Sequence, residues 1–243
     1  MAFLQPQTPR QPIFQAPAIV LWLIGTLAGA HGLRMLVSDD RSQDLIYTYG
    51  FVPARYSRAF LESHMYDPGT VPERVIPFVS YMGLHSDITH LVINCLWLLA
   101  FGPIVARRWG GVLFLVFFMV CGVAGTGAYL AMNWGSAVPV VGASGAISGL
   151  MAAAIRIMPG SAAPWMTVAG EPKLAPLFSR QILLFSAVWA VINFLTAMID
   201  LGGGGERGLI AWQAHLGGFV AGLVLAGIFD ALRPRAIAVH LES

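Results

Sequence analysis

The chain has 243 residues, 57% hydrophobic and only 11% charged, with a formal net charge of +2 and a mean hydropathy of +0.71. So apolar a composition excludes an ordinary soluble globular domain, and so small a net charge leaves no electrostatic footprint for nucleic acid. What remains is an all-α polytopic membrane protein, to be read as near-chargeless windows of about 20 residues, each long enough to cross roughly 30 Å of hydrocarbon.

Residues 1–15 contain a polar, proline-rich lead, "QPQTPRQP", and read as an N-terminal cytoplasmic segment rather than a cleavable signal. The first span is Ala16 to Gly32, with His31 and Arg34 marking its outer end. A long outer loop follows. Near its close, "HSDITH" groups His85, Asp87 and His90 like metal ligands, but Ser86 and Asp87 are good helix N-caps, and a cap without metal is the preferred reading. The second span, Ile88 to Ala106, carries His90 and Asn94, whose i, i+4 spacing puts both on one face, and it ends at the pair Arg107 and Arg108. The third is Val112 to Met132. The fourth, Val140 to Ile155, opens on "VVGASG" and is short, which fits a helix that begins below the surface with protein around its first turn. An inner linker, "PGSAAPWMTVAGEPKLAP", leads to the fifth span, Ile182 to Ile199, closed by Asp200, which reads as a solvated terminus. "LGGGGERG" then connects to the sixth, Leu209 to Ile228; its four glycines suit a flexible cap or an ordinary connector. Cys95 and Cys121 fall within spans and read as packing residues. Residues 16–232 form one domain, and 233–243 a C-terminal cytoplasmic tail.

Six spans put both termini on one side. Arg10, Arg107, Arg108, Arg156, Lys173, Arg180, Arg233 and Arg235 share that side, which identifies it as cytoplasmic. The second, fourth and sixth spans then all run inward from the outer face, so residues early in each share a depth. At 1.5 Å per residue, His90, Asn94, Ser144 and His215 sit roughly 3 to 10 Å below the outer surface. Ionisable and polar groups inside a membrane are costly and mark functional sites, and four at one level suggest one site.

Packing brings two of these helices close. Gly145, Gly149 and Ala153 recur every four residues on the fourth span, and Ala214, Gly218, Gly222 and Ala226 do so on the sixth, a spacing that lets backbones touch. His215, beside Ala214, can then reach Ser144 and take its proton as the hydroxyl attacks a carbonyl. The backbone N–H of Ser144 at a helix start, with His90 and Asn94, can supply the oxyanion donors, and Gly142 and Gly145 leave room for a tight approach. The plainer alternatives are a packing serine, an interhelical hydrogen-bonding histidine, and a His90–Asn94 pair that only bridges helices.

These residues resemble the rhomboid intramembrane serine proteases. "GASG" at Gly142 to Gly145 is similar to their nucleophile motif, "AHLGGFVAG" at Ala214 to Gly222 to their histidine motif, and "HLVIN" at His90 to Asn94 to their oxyanion motif, in order on spans four, six and two. The likeness is to the bacterial-type six-span core. It implies a protein of the inner (cytoplasmic) membrane that cleaves single-pass transmembrane substrates with a Ser144–His215 dyad and no required aspartate, cofactor or metal. There are two departures. Many members carry an aromatic residue four positions after the nucleophile, stacked on the histidine, where this chain has Ser148; the tryptophan–arginine pair common in the first outer loop is missing from "RYSRAFLESHMYDPG". A catalytically inactive rhomboid-like binding factor is the alternative, which the presence of both Ser144 and His215 disfavours. A small transporter would place its polar groups nearer the midplane and show inverted repeats.

Overall fold

The computed structural model describes residues 16–65, 67, 69–158, 173–199 and 211–233. The N-terminal lead, most of the inner linker, Asp200, the glycine-rich connector and the tail beyond Arg233 lie outside the described residues. Within them the chain is helical, and its sole β-type pairing is an isolated bridge between Phe51 and Val140.

Helix α1 (Ala18–Arg34) starts directly behind Pro17, whose extended backbone cannot continue a helix backwards. Its last turn holds His31 and Arg34, but neither faces outward. Both are buried, and the Arg34 guanidinium donates to the carbonyls of His85 (2.6 Å) and Ser86 (3.1 Å), clamping the end of α1 to the chain that enters the next long helix.

The long outer loop is itself folded. It contains α2 (Asp39–Tyr49), α3 (Arg58–Ser63), α4 (Val71–Val75) and α5 (Pro77–Ser80), with 3-10 turns at Pro53–Tyr56 and Tyr81–Gly83. Phe51, fully buried, stacks on Tyr56 and meets Phe78 edge-on, giving this layer a small aromatic core.

Helix α6 (Ile88–Met132) is 45 residues long and is broken at Gly110, whose φ of 80° and ψ of 166° only glycine adopts without strain. The two legs fold back on each other. The start of the first and the middle of the second meet at one end of the molecule, where His90 borders Gly142 and Gly125 approaches Gly145 and Ala214. Asp87 caps α6, its carboxylate accepting from the His90 N–H at 2.8 Å. At the turn, Arg108 makes a two-pronged ion pair with Asp230, which also accepts from the Trp109 indole. Arg108, read from the sequence as a topology signal, is thus also a partly buried staple.

Helices α7 (Ser144–Ile157), α8 (Arg180–Ile199) and α9 (Trp212–Leu232) complete the bundle. The fourth apolar run becomes helical only at Ser144: residues 140–143 lie outside the helix, with Val140 bridged to Phe51, the Gly142 N–H donating to the Tyr81 carbonyl at 2.9 Å, and Ala143 (φ −76°, ψ −3°) turning the chain into α7. Every residue of α7 from Gly145 to Ile157 is buried between α6 and α9. Between apolar helices in lipid, close backbone approach replaces hydrophobic drive. A methyl on Gly218 would overlap the Gly145 carbonyl, and one on Gly222 would overlap Gly149, so the two small-residue stripes do interlock. Cys121 packs on Gly149; both it and Cys95 are free thiols. Helix α8 sits at the margin, with Trp189 stacked on Phe219 of α9 at 4.0 Å.

Candidate active site

Three helix starts converge at the outer-loop end of the bundle. Ser144 is the first residue of α7, preceded by a segment tied to Phe51 and Tyr81 through Val140 and Gly142, and His215 stands in the first turn of α9. Ser144 Oγ and His215 Nε2 are 2.7 Å apart, a short hydrogen bond. Gly145 lies against the carbonyl of Ala214, so the glycine beside the hydroxyl is what lets the α9 backbone come near enough for His215 to reach it.

Gly142 shapes the other side. Its φ of 116° belongs to glycine, and a Cβ there would sit 2.7 Å from the His90 ring and 3.8 Å from Ser144 Oγ. The missing side chain of Gly142 is therefore what lets the His90 imidazole lie against the backbone beside the Ser144 hydroxyl, where a methyl would overlap the ring. His90 Nδ1 is 3.1 Å from Ser86 Oγ, which turns Nε2 toward Gly142. Asn94, one turn deeper and 2% exposed, donates from Nδ2 to the His90 carbonyl at 2.9 Å, while its Oδ1 is buried without a protein partner. An amide nitrogen carries two hydrogens, so one remains for another acceptor.

Of the residues singled out in the sequence, Ser144, His215, His90, Gly142 and Gly145 come together here; Asn94 adjoins them through His90, and Gly149, Gly218 and Gly222 form the helix contact beneath. Ser148 donates to the Ser144 carbonyl at 2.8 Å, back along its own helix. His85 is separate from any ligand set: it is fully buried with both ring nitrogens unpaired, 5.2 Å from the His90 ring and 6.5 Å from the His31 ring between centroids. Burial pushes its imidazole down to about 3, with His90, His31 and Arg34 nearby acting in the same sense and Asp87 opposing. Among the described residues, no group of three or more His, Cys, Asp and Glu is arranged to hold a metal.

The sequence reading passed over Asn193. Its Oδ1 lies 2.8 Å from His215 Nδ1, and it reaches the site from α8. A lone amide in an otherwise apolar span was the available signal, since such groups seek a partner inside the bundle.

The Rhomboid domain family matches residues 72–231, about two thirds of the chain. The chain belongs to the rhomboid family. No curated protein matches it at a significant level. The match takes in both legs of α6, α7, α8 and nearly all of α9, and so every site residue of this rhomboid; α1, α2 and α3 precede it. Rhomboid membership and three helices long and apolar enough to cross a bilayer, Ile88–Met132, Arg180–Met198 and Trp212–Leu232, make this an integral membrane protein.

Proposed function

We propose that this rhomboid is an intramembrane serine endopeptidase that cuts single-pass membrane proteins near the outer membrane boundary. The observation that carries the reading is the 2.7 Å contact between Ser144 Oγ and His215 Nε2 at the meeting of α7 and α9. In the proposed reaction Nε2 takes the hydroxyl proton as Oγ bonds to the substrate carbonyl carbon. The oxyanion enters the space beside Gly142, facing the Ser144 N–H, the His90 ring and the remaining Asn94 hydrogen. As the tetrahedral species collapses, the C–N bond breaks and His215 returns its proton to the departing amine. Water, deprotonated by His215, then releases the acyl group and restores Ser144.

Helix lengths support a reading of six crossings. At 1.5 Å per residue α6 would extend about 67 Å, more than twice the hydrocarbon thickness, so its legs on either side of Gly110 count as two. With α1, α7, α8 and α9 that makes six, both termini on the Arg107–Arg108 side, in the cytoplasm of a bacterial-type inner membrane. α7 is about 21 Å long, too short for a lipid-exposed span and acceptable because protein surrounds it.

A site near one face reaches only the outer end of a substrate helix, and a peptide bond within an intact helix is shielded, so the substrate must unwind locally. Weak helix formers just inside the cut should favour cleavage. The decisive experiment uses a single-span reporter in liposomes. Wild type should cut near the outer boundary and take up a fluorophosphonate at Ser144, whereas Ser144→Ala, still folded, should do neither. Appreciable turnover by Ser144→Ala, or product termini at the cytoplasmic end, would overturn the reading.

A further inference from the structure

A histidine serving as base needs more than proximity. Its ring must stay oriented, and the proton of the neutral imidazole must sit on the nitrogen that faces away from the nucleophile. In this chain the position four residues beyond Ser144 holds Ser148, whose hydroxyl is spent on its own helix. Among the described ring pairs, no aromatic side chain packs on His215.

The other ring nitrogen has a partner. Asn193 is 8% exposed, its Oδ1 is 2.8 Å from His215 Nδ1, and its Nδ2 donates to the Trp212 carbonyl at 3.2 Å. The two ends of an amide match in shape and differ in chemistry: nitrogen donates, oxygen accepts. A carbonyl can only accept, so Trp212 fixes Nδ2 toward itself and leaves Oδ1 toward His215. Oδ1 can also only accept, so the imidazole proton resides on Nδ1. Nε2 is then an open lone pair aimed at Ser144 Oγ, which is the tautomer a base requires.

We propose that Asn193 is the positioning residue for His215: a neutral amide, oriented by the Trp212 carbonyl, that sets both the tilt of the ring and its tautomer. The proposal rests on the protease reading and extends it, because it brings α8 into a site otherwise built from α6, α7 and α9. It also gives the alignment of the base a different origin from ring stacking. A hydrogen bond to Nδ1 is directional and selects a proton position, which a stacked ring does not.

The test uses the full chain in liposomes and compares Asn193→Ala with Asn193→Asp. The ¹⁵N resonances of His215, assigned by difference against His215→Ala, should show one Nδ1-protonated form in wild type and a mixture in Asn193→Ala. Cleavage by Asn193→Ala should lose roughly 10- to 100-fold in kcat with KM near wild type, and fluorophosphonate labelling of Ser144 should slow in parallel. Asn193→Asp should recover most of the labelling and move the acid limb of the rate profile to higher pH, because a carboxylate beside Nδ1 stabilises the imidazolium. Wild-type rates and an unchanged tautomer in Asn193→Ala overturn the assignment. So does a rate loss that merely tracks lower thermal stability while tautomer and pH profile stay put. Absence of both cleavage and labelling in wild type, with an ordered Nδ1-protonated His215, would remove the protease reading and leave the hold of Asn193 on the ring intact.

Discussion

Replacing Gly142 by alanine would put a methyl group between the His90 ring and the Ser144 hydroxyl, at a φ of 116° where side chains are strained by roughly 1–3 kcal/mol. The dyad on the other side of Ser144 would be untouched. Under the protease reading, Gly142→Ala should therefore keep the Ser144–His215 hydrogen bond and still lose turnover, because the methyl would displace the His90 ring from the proposed oxyanion position. Asn94→Ala probes the same position by removing a donor, and loss of one such donor typically costs about 10²- to 10³-fold in rate. Steady-state kinetics on the single-span reporter, with circular dichroism to establish folding, checks both. If Asn94→Ala unfolds the protein without a selective loss of rate, Asn94 is only a bridge between helices. Under the positioning proposal, Asn193 is one amide that would turn an arbitrary imidazole orientation into a defined one.

The interlock of α7 and α9 sets where that chemistry can happen. A Cβ on Gly218 or Gly222 would meet the backbone of Gly145 or Gly149, which cannot swing aside as a side chain can. Gly218→Ala should push the helices apart, and a displacement of about 1 Å at a catalytic pair costs up to about 100-fold in rate; Gly222→Leu should abolish activity. Gly29 and Gly127 supply the control. Nothing lies within 4 Å of a Cβ at either, so alanine there should leave activity unchanged and add about 0.5–1 kcal/mol to helix stability. Full activity in Gly222→Leu would refute the interlock. This contact was legible in the sequence because small residues every four positions have one main use between membrane helices. The nearness of Ser144 and His215 followed from it, together with their shared depth. Other features were not legible. The break of α6 at Gly110 fell between two predicted spans, but nothing in the pattern showed the chain remaining helical up to and beyond it. The approach of Gly125 to the Ala214 carbonyl and of Gly217 to the Ala124 carbonyl is a further close contact whose spacing is less regular. The outer loop offered no periodicity, because its order comes from Phe51, Tyr56 and Phe78 meeting across distant turns and from a backbone bridge to Val140.

Across the molecule as a whole, three imidazoles, His31, His85 and His90, gather where α1 meets the start of α6, while the Arg108–Asp230 ion pair sits at the Gly110 turn. His85 must stay uncharged to remain buried beside His31 and Arg34 of α1 and His90 of α6, with Asp87 the one opposing charge. Its pKa is about 3 when folded against an ordinary value near 6.5, so below pH 6.5 the unfolded chain binds the extra proton and the folded one does not. The stability this group contributes is thus complete above pH 6.5 and drains away as the pH falls toward 3. Thermal unfolding in detergent should show a shallower loss over that window for His85→Phe than for wild type; equal slopes would contradict it. His215 follows Ser144 by 71 positions along the chain. Chains grow at about 5–20 residues per second, so the nucleophile is made roughly 4 to 14 s before its base. Under the protease reading, a ribosome-stalled chain ending before α9 should not react with a fluorophosphonate, and one released through α9 should; reaction of the shorter chain would show that His215 is dispensable. If the protein is a protease, the order of its helices along the chain is then a delay, holding the nucleophile without its base until the last span is made.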